Sequence, residues 1–292
     1  MTKLDRLIPI FFVLLWSTGF VGAKYALPHA DPFWFLAIRC VATIIVLGLF
    51  IVLLKRRMFF DKRSVHQILI GTLIHGGYLG GVFYAISKGM PAGVTAVIVG
   101  IQPLLTAIFS SALGLGQLVR IQIVGLILGF VAICLVIFDL QGLSSTGVSY
   151  LGVIAALVAL FSISIGTVIQ KIIGGDTPFM GATFWQFVGA SGFFLALSFA
   201  LEDQTITWVP SLVAALIWLV CGLSIGAILL LMYMIRKGKM SQVASFFYLV
   251  PPVVLIESYF LFDEDIGLVG IFGSALAVFS IYLVNKTTVI SK

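Results

Sequence analysis

The chain has 292 residues, 61% of them apolar and only 10% charged, with a mean hydropathy of +1.21. A soluble domain carries about 25% charged residues, so this composition excludes a water-soluble globular enzyme and a disordered chain and points to lipid as the main solvent. The net charge of +6 is then a question of which side of a bilayer the cations occupy, and no nucleic-acid partner is expected.

Cutting the chain at charges, Pro and Gly-Ser clusters leaves apolar runs at 7–26, 33–54, 65–87, 91–115, 119–139, 147–171, 178–201, 209–235, 240–262 and 266–285. Each approaches the roughly 20 residues that cross about 30 Å of hydrocarbon. The expected fold class is all-α integral membrane, with ten transmembrane helices. Barrel strands would alternate polar and apolar over about ten residues and do not fit these runs. The first run follows Lys3 and Arg6 as a signal peptide would, but its length and its place in the repeat described below argue that it is retained. The connections are too short for a nucleotide-binding or soluble catalytic domain.

With the amino terminus inside, every one of the 17 cations except Lys24, Arg39 and Lys88 falls on the inner side. The outer loops are neutral or acidic, as at Glu202-Asp203 and Asp263-Glu264-Asp265. Both termini are therefore expected in the cytoplasm. Cys40, Cys134 and Cys221 sit within apolar runs without a CxxC or neighbouring His. They read as small buried packing residues, and neither a metal nor another cofactor is implied.

The two halves resemble each other. Tyr84-Ala85-Ile86-Ser87-Lys88-Gly89 aligns with Tyr233-Met234-Ile235-Arg236-Lys237-Gly238, and at the same offset Val94 matches Val243 and Pro103 matches Pro252. Pro32-Phe33 matches Pro178-Phe179. Five helices per half is an odd number, so the second half enters the membrane from the opposite side. The expected organisation is an inverted-topology repeat, residues 1–142 and 143–292, with a substrate site between the halves near the midplane.

Together with the ten helices and the repeat, the run Trp16-Ser17-Thr18-Gly19-Phe20-Val21-Gly22-Ala23-Lys24, Arg39, Pro103, and Pro252 ahead of Leu261-Phe262-Asp263-Glu264 resemble the EamA family of the drug/metabolite transporter superfamily. The resemblance implies a bacterial inner-membrane carrier, often an exporter of amino acids or related metabolites. It also implies a central cavity lined by helices 1, 3, 4, 6, 8 and 9, and a structural tie between helices at Arg39.

Glu257 is the one carboxylate deep in a span, where an acid faces protein or a water-filled cavity and is a functional candidate by default. It is the candidate for proton coupling; the alternative is a hydrogen bond to a neighbouring helix. His75 and Tyr78, three residues apart, share a helix face and could bind substrate. The neighbouring pairs Gly76/Gly80 and Gly77/Gly81 read as helix-packing signals. Trp16 could stack on a substrate, with Ser17 beside it in the same motif, and Gln102 ahead of Pro103 offers both donors and acceptors. Tyr248 completes the substrate set, because the repeat and the family place it on the inward face of helix 9. Pro251-Pro252 is expected to kink that helix.

No GxxxxGK[ST] motif is present, since Gly238-Lys239 is followed by Met240, and there is no HExxH or GxSxG. The reading is a secondary transporter of a small organic solute, working by alternating access in the lipid bilayer with protons as the coupling ion. Multidrug or toxic-compound efflux is the nearest alternative, and an integral-membrane enzyme the alternative of a different class. Monomer and homodimer both stay open.

Overall fold

The computed structural model describes residues 3–115, 119–143, 149–227, 230, 234 and 247–288. Among these residues the chain is helical, apart from loops and an isolated antiparallel bridge between Ala30 and Ile206. Helices α1 (Lys3–Ala26), α2 (Pro32–Leu53), α3 (Lys62–Ser87), α4 (Ala92–Ala112), α5 (Arg120–Leu143), α6 (Tyr150–Ile173), α7 (Phe179–Leu201) and α8 (Pro210–Ala227) each contain a span long and apolar enough to cross a membrane. Helices α9 (Val250–Phe262) and α10 (Leu268–Thr288) add shorter apolar segments.

Proline sets several helix starts. Pro32 and Pro210 open α2 and α8, and Pro103 opens the second part of α4 after a break at Ile101. A first-turn proline loses nothing, because its missing N–H has no intrahelical partner there. Pro251-Pro252 lie in the first turn of α9, directly after a short 3₁₀ turn at Phe247–Leu249; the stretch 240–246, on which the expected kink depends, lies outside the described residues.

The loops sort onto two ends of the bundle. At one end, Glu202 after α7 accepts from the backbone N–H groups of Phe33 and Trp34 at 2.9 and 2.8 Å. There too Asp31 pairs with Thr205, and Gly267 N donates to Asp139 at 2.8 Å. Glu264, before α10, takes the Lys24 ammonium of α1 and the N–H groups of Ala92 and Gly93. At the other end Trp185 Nε1 donates to Phe59 O and Gln67 Nε2 to Gly174 O, both at 2.9 Å. Successive helices therefore run in alternating directions.

The main packings come in matched pairs under exchange of each helix with the one five places on. Helix α2 packs on α7, α4 on α9, and α5 on α10; α3 on α6 is matched by α8 on α1, and α3 on α7 by α8 on α2. The irregularities match as well. Helix α3 widens into a π-helical turn at Thr72–Gly77 and α8 does so over Trp218–Ala227.

Large apolar side chains such as Phe130, Phe138, Phe260 and Phe272 point outward, as lipid-facing residues do. Of the three cysteines only Cys40 is buried; Cys134 and Cys221 lie on the outer surface. In a bilayer the outer face is as apolar as the core, so an apolar neighbourhood in sequence does not distinguish the two.

Candidate substrate cavity

A cavity of about 110 Å³ lies between α1, α2, α3, α6, α7 and α8, away from the helix ends. Its apolar wall includes Phe20, Val82, Phe83, Phe187 and Leu223, and its polar groups come from Trp16, Arg39, His75, Tyr78 and Ser224. One water needs roughly 10–15 Å³ of such space, so the cavity suits a small organic molecule.

Local geometry explains why these side chains converge. The π-helical turn inserts an extra residue per turn at His75, which turns Ile74, His75 and Tyr78 together toward the interior. The glycines of the same stretch serve two neighbours. A Cβ on Gly77 or Gly81 would strike Ser162 or Ala155 of α6, and one on Gly76 would strike Phe193 of α7. Helix α3 is thereby wedged between α6 and α7.

The imidazole of His75 stacks on Phe187 with ring centroids 4.5 Å apart, and its Nε2 lies 3.3 Å from Gln186 Oε1. Gln186 donates in turn to Gln67 and Gln170 at 2.7 and 2.8 Å. This chain of amides joins α3, α6 and α7 below the cavity. On the opposite wall Arg39 of α2 donates to Ser224 Oγ of α8 at 3.3 Å, while its Nε has no partner.

Of the residues singled out from the sequence, Trp16, His75 and Tyr78 line the cavity together. Ser17 is buried and turns away to α9, where its hydroxyl donates to Glu257 Oε1 at 2.8 Å. Gln102 donates to Thr167 of α6 at 3.1 Å and does not reach the cavity. Tyr248 falls in the 3₁₀ turn before α9, and its side chain lies outside the described residues. Helices α4 and α9 contribute nothing to the described wall; α2 and α7 do, through Arg39 and Phe187. The resemblance leaves α7 out of the lining, whereas the structure brings Phe187 to the wall and sets Gln186 beside it as a structural partner of His75. The signal available was a Gln inside an apolar span, which needs a partner. Among the described residues no three His, Cys, Asp or Glu side chains come together as a metal site.

The model of the EamA-like transporter family matches this sequence twice, over residues 7–138 and 150–286. The chain belongs to the EamA-like transporter family. As an EamA-like protein it is a multi-pass membrane protein, and its relatives carry transporter names. It is 28% identical to the transporter YvbV of Bacillus subtilis, over 96% of this chain and 90% of the relative. It is 25% identical to the inner membrane transporter YedA of Escherichia coli, over 97% and 92%. It is 24% identical to a probable amino-acid metabolite efflux pump of Salmonella typhimurium, over 97% and 95%. A crystal structure at 17% identity superimposes with a TM-score of 0.64, covering 97% of this chain and 96% of its own, and so has the same overall fold.

Proposed function

We propose that the protein is a secondary transporter that exports amino acids or related metabolites across the bacterial inner membrane by alternating access. The observation that carries this reading is the cavity held between α1, α2 and α3 of one half and α6, α7 and α8 of the other. A site shared between two repeats exchanges its exposure when the halves rock against each other. The repeat is taken as residues 1–142 and 143–292 with inverted topology and cytoplasmic termini. The matched helix packings, the paired π-helical turns and the two family matches support it. The efflux-pump name of the Salmonella relative supports the direction and the substrate class.

Within this reading Trp16, His75, Tyr78 and Arg39 contact the solute, and Ser17, Gln102 and Tyr248 border its path. Glu257 carries the coupling proton, since a carboxyl deep in a span and hydrogen-bonded to Ser17 through one oxygen can exchange a proton as the α1–α9 contact opens.

The test is counterflow in proteoliposomes loaded with individual amino acids, their 2-oxo acids and cationic dyes. Exchange of amino acids or their metabolites supports the reading. Exchange of dyes alone replaces it with toxic-compound efflux, and no exchange of any solute by folded protein removes it.

A further inference from the structure

We propose that Arg39 is the anchor for a substrate carboxylate, and that the solute class is the small apolar monocarboxylate lacking a charged amine. This rests on the transport reading and narrows it to the related metabolites, leaving out amino acids themselves.

Arg39 lies seven residues into α2, about 10 Å along the helix, and is only 4% exposed. A guanidinium there is costly unless it is paired, yet its side chain makes one hydrogen bond, at 3.3 Å to a neutral hydroxyl, and leaves Nε without a partner. The ion pairs among the described residues are Lys24–Glu264 and Arg63–Asp61 and do not include it. Sequence closes the remaining routes. The acids are Asp5, Asp31, Asp61, Asp139, Asp176, Glu202, Asp203, Glu257, Asp263, Glu264 and Asp265, and Glu257 alone sits deep in a span. It is bonded to Ser17 and does not line the cavity. The protein thus places a buried planar cation, short of hydrogen-bond partners, at the wall of the cavity and supplies no anion of its own.

The fork of an arginine matches a carboxylate with two parallel hydrogen bonds, so the missing counter-charge has a defined shape. The walls set the remainder of the ligand. Phe20, Val82, Phe83, Phe187 and Leu223 offer apolar surface, while no acid lines the cavity to receive an ammonium. An amino acid would leave its charged amine unpaired and desolvated, whereas the corresponding 2-oxo acid would not.

Two ligand pairs test this on purified protein by thermal shift and calorimetry. Isovalerate against isovaleramide isolates the carboxylate, and 4-methyl-2-oxopentanoate against leucine isolates the amine. The expected result is at least about tenfold tighter binding of the first member of each pair, with both preferences lost in Arg39→Gln and partly kept in Arg39→Lys. Equal binding within either pair, no binding of either carboxylate, or an Arg39→Gln protein that folds and keeps the preferences overturns the proposal. If Arg39→Gln does not fold, the wild-type comparison decides alone. Carboxylate binding without counterflow of any solute would remove the transport reading and leave the assignment of Arg39 intact.

Discussion

Ser17 Oγ donates to Glu257 Oε1 at 2.8 Å and so ties α1 to α9 across 240 residues of chain. The second oxygen, Oε2, is buried without a partner. A carboxyl with one oxygen held and the other free can gain or lose a proton without breaking the tie. Glu257→Gln keeps an oxygen for Ser17 and removes the titration. Proteoliposomes of this variant are expected to lose transport driven by an imposed pH gradient while keeping counterflow. Full gradient-driven flux would make Glu257 structural.

Glu202 bridges two backbone donors at the start of α2, where a negative group also meets the positive end of the helix. Removing such a cap costs about 0.5–2 kcal/mol, so Glu202→Ala should lower the melting temperature in detergent. Burial holds the Glu202 carboxyl above the usual glutamate range, with the neighbouring Asp31 charge acting in the same direction. The folded state therefore binds this proton more tightly than the unfolded chain does. Its contribution to stability is present below the unfolded value and is lost as pH rises through the folded one. Melting curves between about pH 4 and pH 7 should show a shallower fall in Glu202→Gln than in the wild type.

Among the described residues eight of the apolar runs form helices long enough to cross a membrane and two form shorter apolar helices, because about 20 consecutive apolar residues admit little else in lipid. His75 and Tyr78 were legible as a pair because helical spacing puts them on one face. Arg39 was not, since a buried arginine reads the same from sequence whether it ties helices or faces a cavity. In the structure it does both, bonding to Ser224 and lining the cavity. Ser17 and Gln102 look equally polar in the sequence, but a hydroxyl and an amide in a span are satisfied by whichever helix lies nearest, here α9 and α6. The π-helical turns escaped detection because an inserted residue shifts the helical phase without any signature residue.

Gly71 and Gly189 hold α3 and α7 in backbone contact. A Cβ on Gly71 would lie 2.1 Å from Gln186 O, and one on Gly189 2.2 Å from Ile68 O. Backbone cannot yield as a side-chain tip can, so Gly71→Ala must part the helices and draw Gln186 away from His75. The expected cost is about 1–3 kcal/mol, the range for overpacking. Thermal unfolding should show it, with Gly192→Ala as a control, since nothing lies within 4 Å of a Cβ there. Equal melting temperatures for the two variants would contradict the close contact.

Glu264 is 8% exposed and serves three donors at once: the ammonium of Lys24 and the N–H groups of Ala92 and Gly93. Lys24 loses less when the pair is broken, because it is partly exposed and also lies 5.2 Å from the Phe262 ring centroid. The two truncations should therefore be unequal. Glu264→Ala strands a lysine and two N–H groups at the start of α4 and is expected to cost about 1.5–3 kcal/mol, the range for hydrogen bonds to a charged group. Lys24→Met leaves Glu264 with two of its three donors and should cost less. In the double variant the Lys24 substitution should add little beyond the loss of Glu264, because the partner is already gone. Strict additivity in melting experiments would show that the ion pair does not couple α1 to the α9–α10 turn.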